Sequence, residues 1–70
     1  MKIVKVRFER PKSIFDGGVK VYGTYENGVE EFIVEYYPDE ISIHESEVIG
    51  KTKQEVIDLK CKKDSEYLQS

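Results

Sequence analysis

Asn27-Gly28 lies between two alternating apolar stretches, residues 19–25 and 29–37, and constrains this chain more than any other feature. Asn-Gly in that setting is the strongest short-range signal for a β-hairpin, because both residues tolerate the left-handed backbone of a two-residue type I′ turn. Such a turn fixes the register. Val21 then faces Val34, Val19 faces Tyr36 and Gly23 faces Phe32 on one side, while Tyr22 meets Ile33 and Lys20 meets Glu35 on the other. One side is apolar and the other mixed, so the hairpin requires cover on a single face.

Residues 2–9 alternate in the same way, with Val4, Val6 and Phe8 on one face and Ile3, Lys5, Arg7 and Glu9 on the other, which predicts a half-buried strand. Pro11 ends or bends it. Asp16-Gly17-Gly18 is a second turn signal, and pairing about Asp16-Gly17 or across a longer loop from Pro11 keeps Val4, Val6 and Phe8 beside Val19 and Val21. Pro38-Asp39 marks a third turn, after which residues 40–44 place Ile41 and Ile43 on one face of a short fourth strand.

From Thr52 the period changes. Thr52-Lys53-Gln54-Glu55 fits the capping box, in which threonine hydroxyl and glutamate carboxylate satisfy reciprocal backbone N–H groups at a helix start. The helix is expected to run to about Tyr67. At ~100° per residue, Ile57, Cys61 and Leu68 form a stripe flanked by Val56 and Tyr67, and Lys60 pairs with Asp64 one turn on. The expected fold is α+β: an antiparallel β-meander of three or four strands with one C-terminal α-helix packed on one face. Its core comprises Val4, Val6, Phe8, Val19, Val21, Phe32, Val34 and Ile41, closed by Val56, Ile57, Cys61 and Leu68 from the helix. Residues 1–70 form one small domain.

A chain of 70 residues buries only about 60% of the surface its unfolded form exposes, so a multistep enzyme is not expected. Charged residues make up 36% and hydrophobic residues 39%, a globular rather than a disordered composition. The net charge of -3 lacks the basic footprint of a nucleic-acid binder over the whole chain. Charge nevertheless segregates: Lys2, Lys5, Arg7, Arg10 and Lys12 crowd the first segment, while glutamates and Asp39 load the middle. The single cysteine, Cys61, excludes an intramolecular disulfide, and no basic-then-apolar leader or long apolar run is seen. A cytoplasmic location without membrane contact is the expectation.

The motifs that suggest chemistry have simpler readings. Gly50-Lys51-Thr52 sits where a phosphate-binding P-loop would end, but the first glycine of that motif would fall at Glu45, and Glu45 and Glu47 repel phosphate. A turn glycine before a helix cap accounts for it. His44, the only histidine, reads as an exposed strand-end residue, since Cys61 lies on a helix with no second histidine or cysteine to complete a metal set. No catalytic residue, cofactor or metal ligand is therefore assigned, and the chain is read as not an enzyme.

The mixed sheet face, with Lys5, Arg7, Lys20, Tyr22, Thr24, Glu31, Ile33 and Glu35, is the expected functional surface because one helix cannot cover both faces. Its candidate interaction residues are Lys5, Arg7, Lys20, Tyr22 and Ile33, joined by Phe15 from the Ile14-Phe15 loop, and an exposed edge strand is a further route to association. The expected function is a small non-enzymatic binding or protein-interaction module, its partner another protein or a second copy in a homodimer. The alternative is nucleic-acid binding through the basic first strand. A three-stranded sheet followed by a helix resembles AP2-type and integrase arm-type DNA-binding domains, yet Glu31 and Glu35 share the face and Lys20 faces Glu35.

The stretch Ile49-Gly50-Lys51-Thr52-Lys53-Gln54-Glu55-Val56 and the ending Lys63-Asp64-Ser65-Glu66-Tyr67-Leu68-Gln69-Ser70 resemble short uncharacterised single-domain proteins of streptococci and related Gram-positive bacteria. The resemblance covers the C-terminal third. It implies a stand-alone bacterial cytoplasmic protein and brings no binding residues with it.

Overall fold

The computed structural model describes residues 1–12, 17–38 and 40–69. Three strands, β1 (Ile3–Glu9), β2 (Val19–Tyr25) and β3 (Glu30–Tyr36), form an antiparallel sheet in the order β1-β2-β3. A one-turn helix α1 (Glu45–Val48) and the long helix α2 (Lys53–Gln69) follow, and α2 packs on β3. The fold is the expected α+β meander, with three strands.

The central hairpin reaches most of its expected register by another path. Tyr25 donates its N–H to the Val29 carbonyl and accepts from Gly28 N–H, both at 2.9 Å. Gly28 has φ +86°, while no described residue other than glycine has a positive φ. Asn27 is therefore not left-handed, and Glu26-Asn27-Gly28 forms a three-residue loop with glycine in its last position instead of a type I′ turn. The extra loop residue shifts the first pairs to Thr24↔Glu30, Gly23↔Glu31 and Tyr22↔Phe32. A bulge then absorbs Ile33 and restores Val21↔Val34, Lys20↔Glu35 and Val19↔Tyr36.

The bulge exchanges two side chains. Phe32, expected in the core, is 45% exposed, and Ile33, expected on the surface, is 3% exposed. Glu31 moves to the covered side with it. A second bulge separates Ile3↔Tyr25 from Lys5↔Thr24, leaving Val4 unpaired and 44% exposed, while Ile3 takes its place inside. Ile3 packs so closely on β2 that a Cβ on Gly23 would stand 3.1 Å from three of its carbons. Val6 and Phe8 pack against the core as expected. β1 ends at Glu9 and β2 begins at Val19, with Glu9 paired to Lys20, while the turn expected at Asp16-Gly17 falls partly outside the described residues.

Residues 40–44 form no strand, although their alternation is used: Ile41 and Ile43 are buried in the same core as Val19, Val21, Tyr25, Val34, Tyr36, Val48 and Val56. At the other edge of the sheet, the start of β1 is met by residues 50–51. Ile3 N–H donates to the Lys51 carbonyl and the Ile3 carbonyl accepts from Gly50 N–H, both at 2.8 Å. Gly50, with φ +83°, makes the turn that allows this.

Thr52 caps α2 as its sequence predicts: Thr52 Oγ1 accepts from Glu55 N–H at 3.2 Å, and Glu55 Oε1 accepts from Thr52 N–H at 3.1 Å. The helix is rotated from its expected orientation. Val56 is fully buried, Ile57 packs only partly against the core, and Cys61 and Leu68, both expected inside, are exposed, Leu68 at 81%. Two ion pairs accompany the burial of Val56 in this orientation. Lys53 Nζ binds Glu31 Oε1 at 2.7 Å and Lys63 Nζ binds Glu47 Oε2 at 3.0 Å, so the inward face runs through Lys53, Val56, Lys60 and Lys63. Lysine stems can cover apolar surface while their heads reach carboxylates. Lys60 also pairs with Asp64 at 2.8 Å. From Lys53 beside Glu31, α2 needs about 16 Å to reach Asp64, while β3 spans roughly 17 Å from Glu31 to Tyr36, so the last turn with Leu68 overruns the sheet.

Candidate interaction face

The face opposite α2 is ordered in three rows by the pairing of the strands. Glu9, Lys20 and Glu35 form one row, Arg7, Tyr22 and Phe32 the next, and Lys5, Thr24 and Glu30 the third. The middle row carries its character. The Arg7 guanidinium lies 4.4 Å from the Tyr22 ring centroid, and Tyr22 meets Phe32 edge to face at 5.8 Å with the planes 74° apart. Such contacts contribute about 0.5–1.5 kcal/mol each.

Arg7 also bridges the outer strands. Its Nη2 donates to Glu30 Oε1 at 3.0 Å, its Nε to Glu30 Oε2 at 3.4 Å, and its Nη1 to Glu9 Oε2 at 3.2 Å. The Glu30 and Glu9 hydrogen bonds hold the guanidinium pKa above its usual value, and the Arg7 hydrogen bond holds the Glu30 carboxyl below the usual carboxylate range. Both partners are exposed and the pair is screened by solvent, so the clamp orients the row more than it holds the fold. On the face as a whole, Lys5, Arg7 and Lys20 are balanced by Glu9, Glu30 and Glu35.

Of the residues expected on this surface, Lys5, Arg7, Lys20 and Tyr22 share the face, and Arg7 and Tyr22 touch. Ile33 does not belong to it: the β3 bulge turns its side chain into the core. Phe15, like Ile14, falls outside the described residues. Phe32 is the member that alternation missed. Glu31, also expected on this face, joins β3 to the start of α2, where its Oε2 accepts from the Tyr25 hydroxyl at 2.6 Å opposite the Lys53 bond. Lys53, then Tyr25, lowers the Glu31 pKa, and that same hydrogen bond pushes the Tyr25 phenol up to about 12.

The edges are less suited to a partner than the face. Both outer strands carry a bulge and charged side chains, two devices that discourage strand addition, and β1 is paired at Ile3 by residues 50–51. His44 caps α1 rather than ending a strand. Its N–H donates to Glu47 Oε1 at 3.0 Å and its Nε2 lies 3.4 Å from Ser42 Oγ. No group of three or more His, Cys, Asp or Glu among the described residues is placed to hold a metal ion. No helix among them is long and apolar enough to cross a membrane.

Compared with protein-family models, curated proteins and solved structures, this chain matches none.

Proposed function

We propose that this chain is a small non-enzymatic interaction module that docks a protein partner, a second copy of itself being the first candidate, on the open sheet face around Tyr22 and Phe32. The observation that carries this reading is the half-exposed Phe32 ring, set edge to face against Tyr22, on a face that no described element covers. A rigid aromatic costs little entropy to bury, and aromatic and arginine side chains are the usual anchors of an interface. Charge balance across the face favours a protein partner over nucleic acid, which selects for a continuous basic track. The exposed free thiol of Cys61 suits a reducing, cytoplasmic compartment.

The test compares wild type with Phe32→Ser, and with Lys62→Ser as a control on an exposed position of α2. Sedimentation over a concentration series reports self-association, and capture from cell extract with each protein as bait reports other partners. Loss of an anchor weakens binding by about tenfold or more in Phe32→Ser and leaves Lys62→Ser unchanged. Association retained in full by Phe32→Ser contradicts the reading.

A further inference from the structure

On the α2 side of the sheet, two neighbouring hollows lie between residues 37–44 and the C-terminal half of α2. One, of about 370 Å³, has Ser42 on one wall and Lys63 and Glu66 on the other, and the second, of about 240 Å³, has Tyr37 facing Lys60, Asp64 and Leu68. Glu40 and Tyr67 line both, so the two form one groove. Its first wall is held by the fold. Ile41 and Ile43 are buried in the core, and the Tyr37 carbonyl accepts from Glu40 N–H at 2.9 Å and from Ile41 N–H at 3.1 Å.

The groove is apolar and acidic. Tyr37 and Tyr67 are half-exposed and Leu68 more so, a concentration of exposed apolar surface where the last turn of α2 overruns the sheet. Both lining lysines are engaged, Lys60 by Asp64 at 2.8 Å and Lys63 by Glu47 at 3.0 Å. Glu40 and Glu66 make no ion pair among the described residues. Lys62, one turn before Glu66, lines a different hollow with Lys51. Residues 13–16, 39 and 70, outside those described, include no lysine or arginine that would offset these acids. Counting Glu47 against Lys63, four carboxylates meet two lysines around the groove.

We infer that this groove docks a short basic peptide segment of another protein, with an apolar side chain against Leu68 and the tyrosines and lysine or arginine heads at Glu40 and Glu66. Unpaired carboxylates beside tyrosine faces attract a cation and repel nucleic acid or an acidic chain, so the charge selects the partner. Two hollows in a row suit an extended segment better than a single ion. The groove lies across the sheet from Tyr22 and Phe32, and this assignment does not rest on the open-face reading.

The test follows backbone amides of the labelled protein by NMR during titration with the capped peptide Leu-Arg-Ala-Leu-Arg, and separately with Leu-Glu-Ala-Leu-Glu. Saturable shifts at Tyr37, Glu40, Ser42, Glu66 and Leu68 are expected with the basic peptide and none with the acidic one. Glu40, Glu66 and Leu68 are exposed, so their substitution leaves the remaining spectrum in place. Glu40→Gln with Glu66→Gln should weaken binding about fivefold or more, and Leu68→Ser about threefold or more. Glu26→Gln with Asp58→Asn, an equal change of net charge at exposed positions elsewhere, should leave it unchanged. Shifts that never saturate, equal binding of the acidic peptide, or full affinity in the Glu40/Glu66 variant would overturn the inference. Shifts centred on Tyr22 and Phe32 would assign the peptide to the open face instead, and groove shifts that appear on raising the protein concentration alone would make a second copy the occupant.

Discussion

Replacing Ile33 by alanine should cost this protein far more than replacing Phe32, although phenylalanine is the larger and more apolar side chain. Ile33 is 3% exposed in the core beneath α2, and truncating a buried isoleucine to alanine costs about 2–5 kcal/mol. Phe32 is 45% exposed. Its alanine variant loses the edge-to-face contact with Tyr22, about 0.5–1.5 kcal/mol, and roughly half of a burial term of about 1.5–3 kcal/mol. The expected order is therefore about 3–4 kcal/mol against about 2 kcal/mol. At roughly 0.05–0.15 kcal/mol per residue, a domain of this size has a total stability of about 4–10 kcal/mol, so the first change removes a large share of it. Urea unfolding reads the difference as a midpoint about 1–2 M lower for Ile33→Ala than for Phe32→Ala at similar slope. Should Ile33→Ala fail to fold while Phe32→Ala folds, the order stands, and Ile33→Val, at about 0.5–1.5 kcal/mol, gives the measurable value. A Phe32→Ala protein as unstable as Ile33→Ala would refute the bulge and return Phe32 to the core.

Three further outcomes follow from named contacts. Thr52→Ala should lower stability by about 1 kcal/mol through loss of the α2 cap, and Thr52→Ser should restore most of it, as measured by thermal unfolding. The Tyr25 phenol, raised from 10.0 to about 12 by the Glu31 carboxylate, should contribute stability that is complete below pH 10 and lost as pH rises through about 12. Phenolate absorbance should show the Tyr25 component delayed to about pH 12, and Glu31→Gln should abolish the delay; a delay that survives this change would rule out the pairing. The carboxylates of Glu31, Glu47 and Glu55, held low chiefly by Lys53, the His44 backbone and the Thr52 backbone, should contribute stability above their ordinary value of 4.5. That contribution is lost as pH falls through their lowered values, and an acid unfolding curve unchanged in a Glu31→Gln, Glu47→Gln variant would contradict it.

The sequence disclosed the meander, the hairpin and the helix cap because each has a local chemical cause: Asn27-Gly28, the alternation of Val19–Tyr25, and Thr52 with Glu55. Asn-Gly serves both a two-residue and a three-residue loop, and only the backbone angle of Asn27 distinguishes them. Alternation also fails where apolar residues run together. Both bulges fall in such runs, Ile3-Val4 and Phe32-Ile33-Val34, where either neighbour can turn inward without exposing a charge. The orientation of α2 departs from its apolar stripe for a related reason. Its apolar stripe of Ile57, Cys61 and Leu68 is sparse, and lysines paired across the fold to Glu31 and Glu47 oppose it, partners that no local pattern reveals. The open face was thus legible as a face. Its central aromatic was not, because its place depends on a one-residue shift in pairing.

That shift decides which side chains a partner would meet, and side-chain NOEs test it directly. The account predicts contacts from the Phe32 ring to Tyr22 and from Ile33 methyls to buried core methyls. A Phe32 ring in contact with the core methyls of Val56 or Ile43, and Ile33 beside Tyr22 instead, would remove the bulge and the proposed interaction face with it.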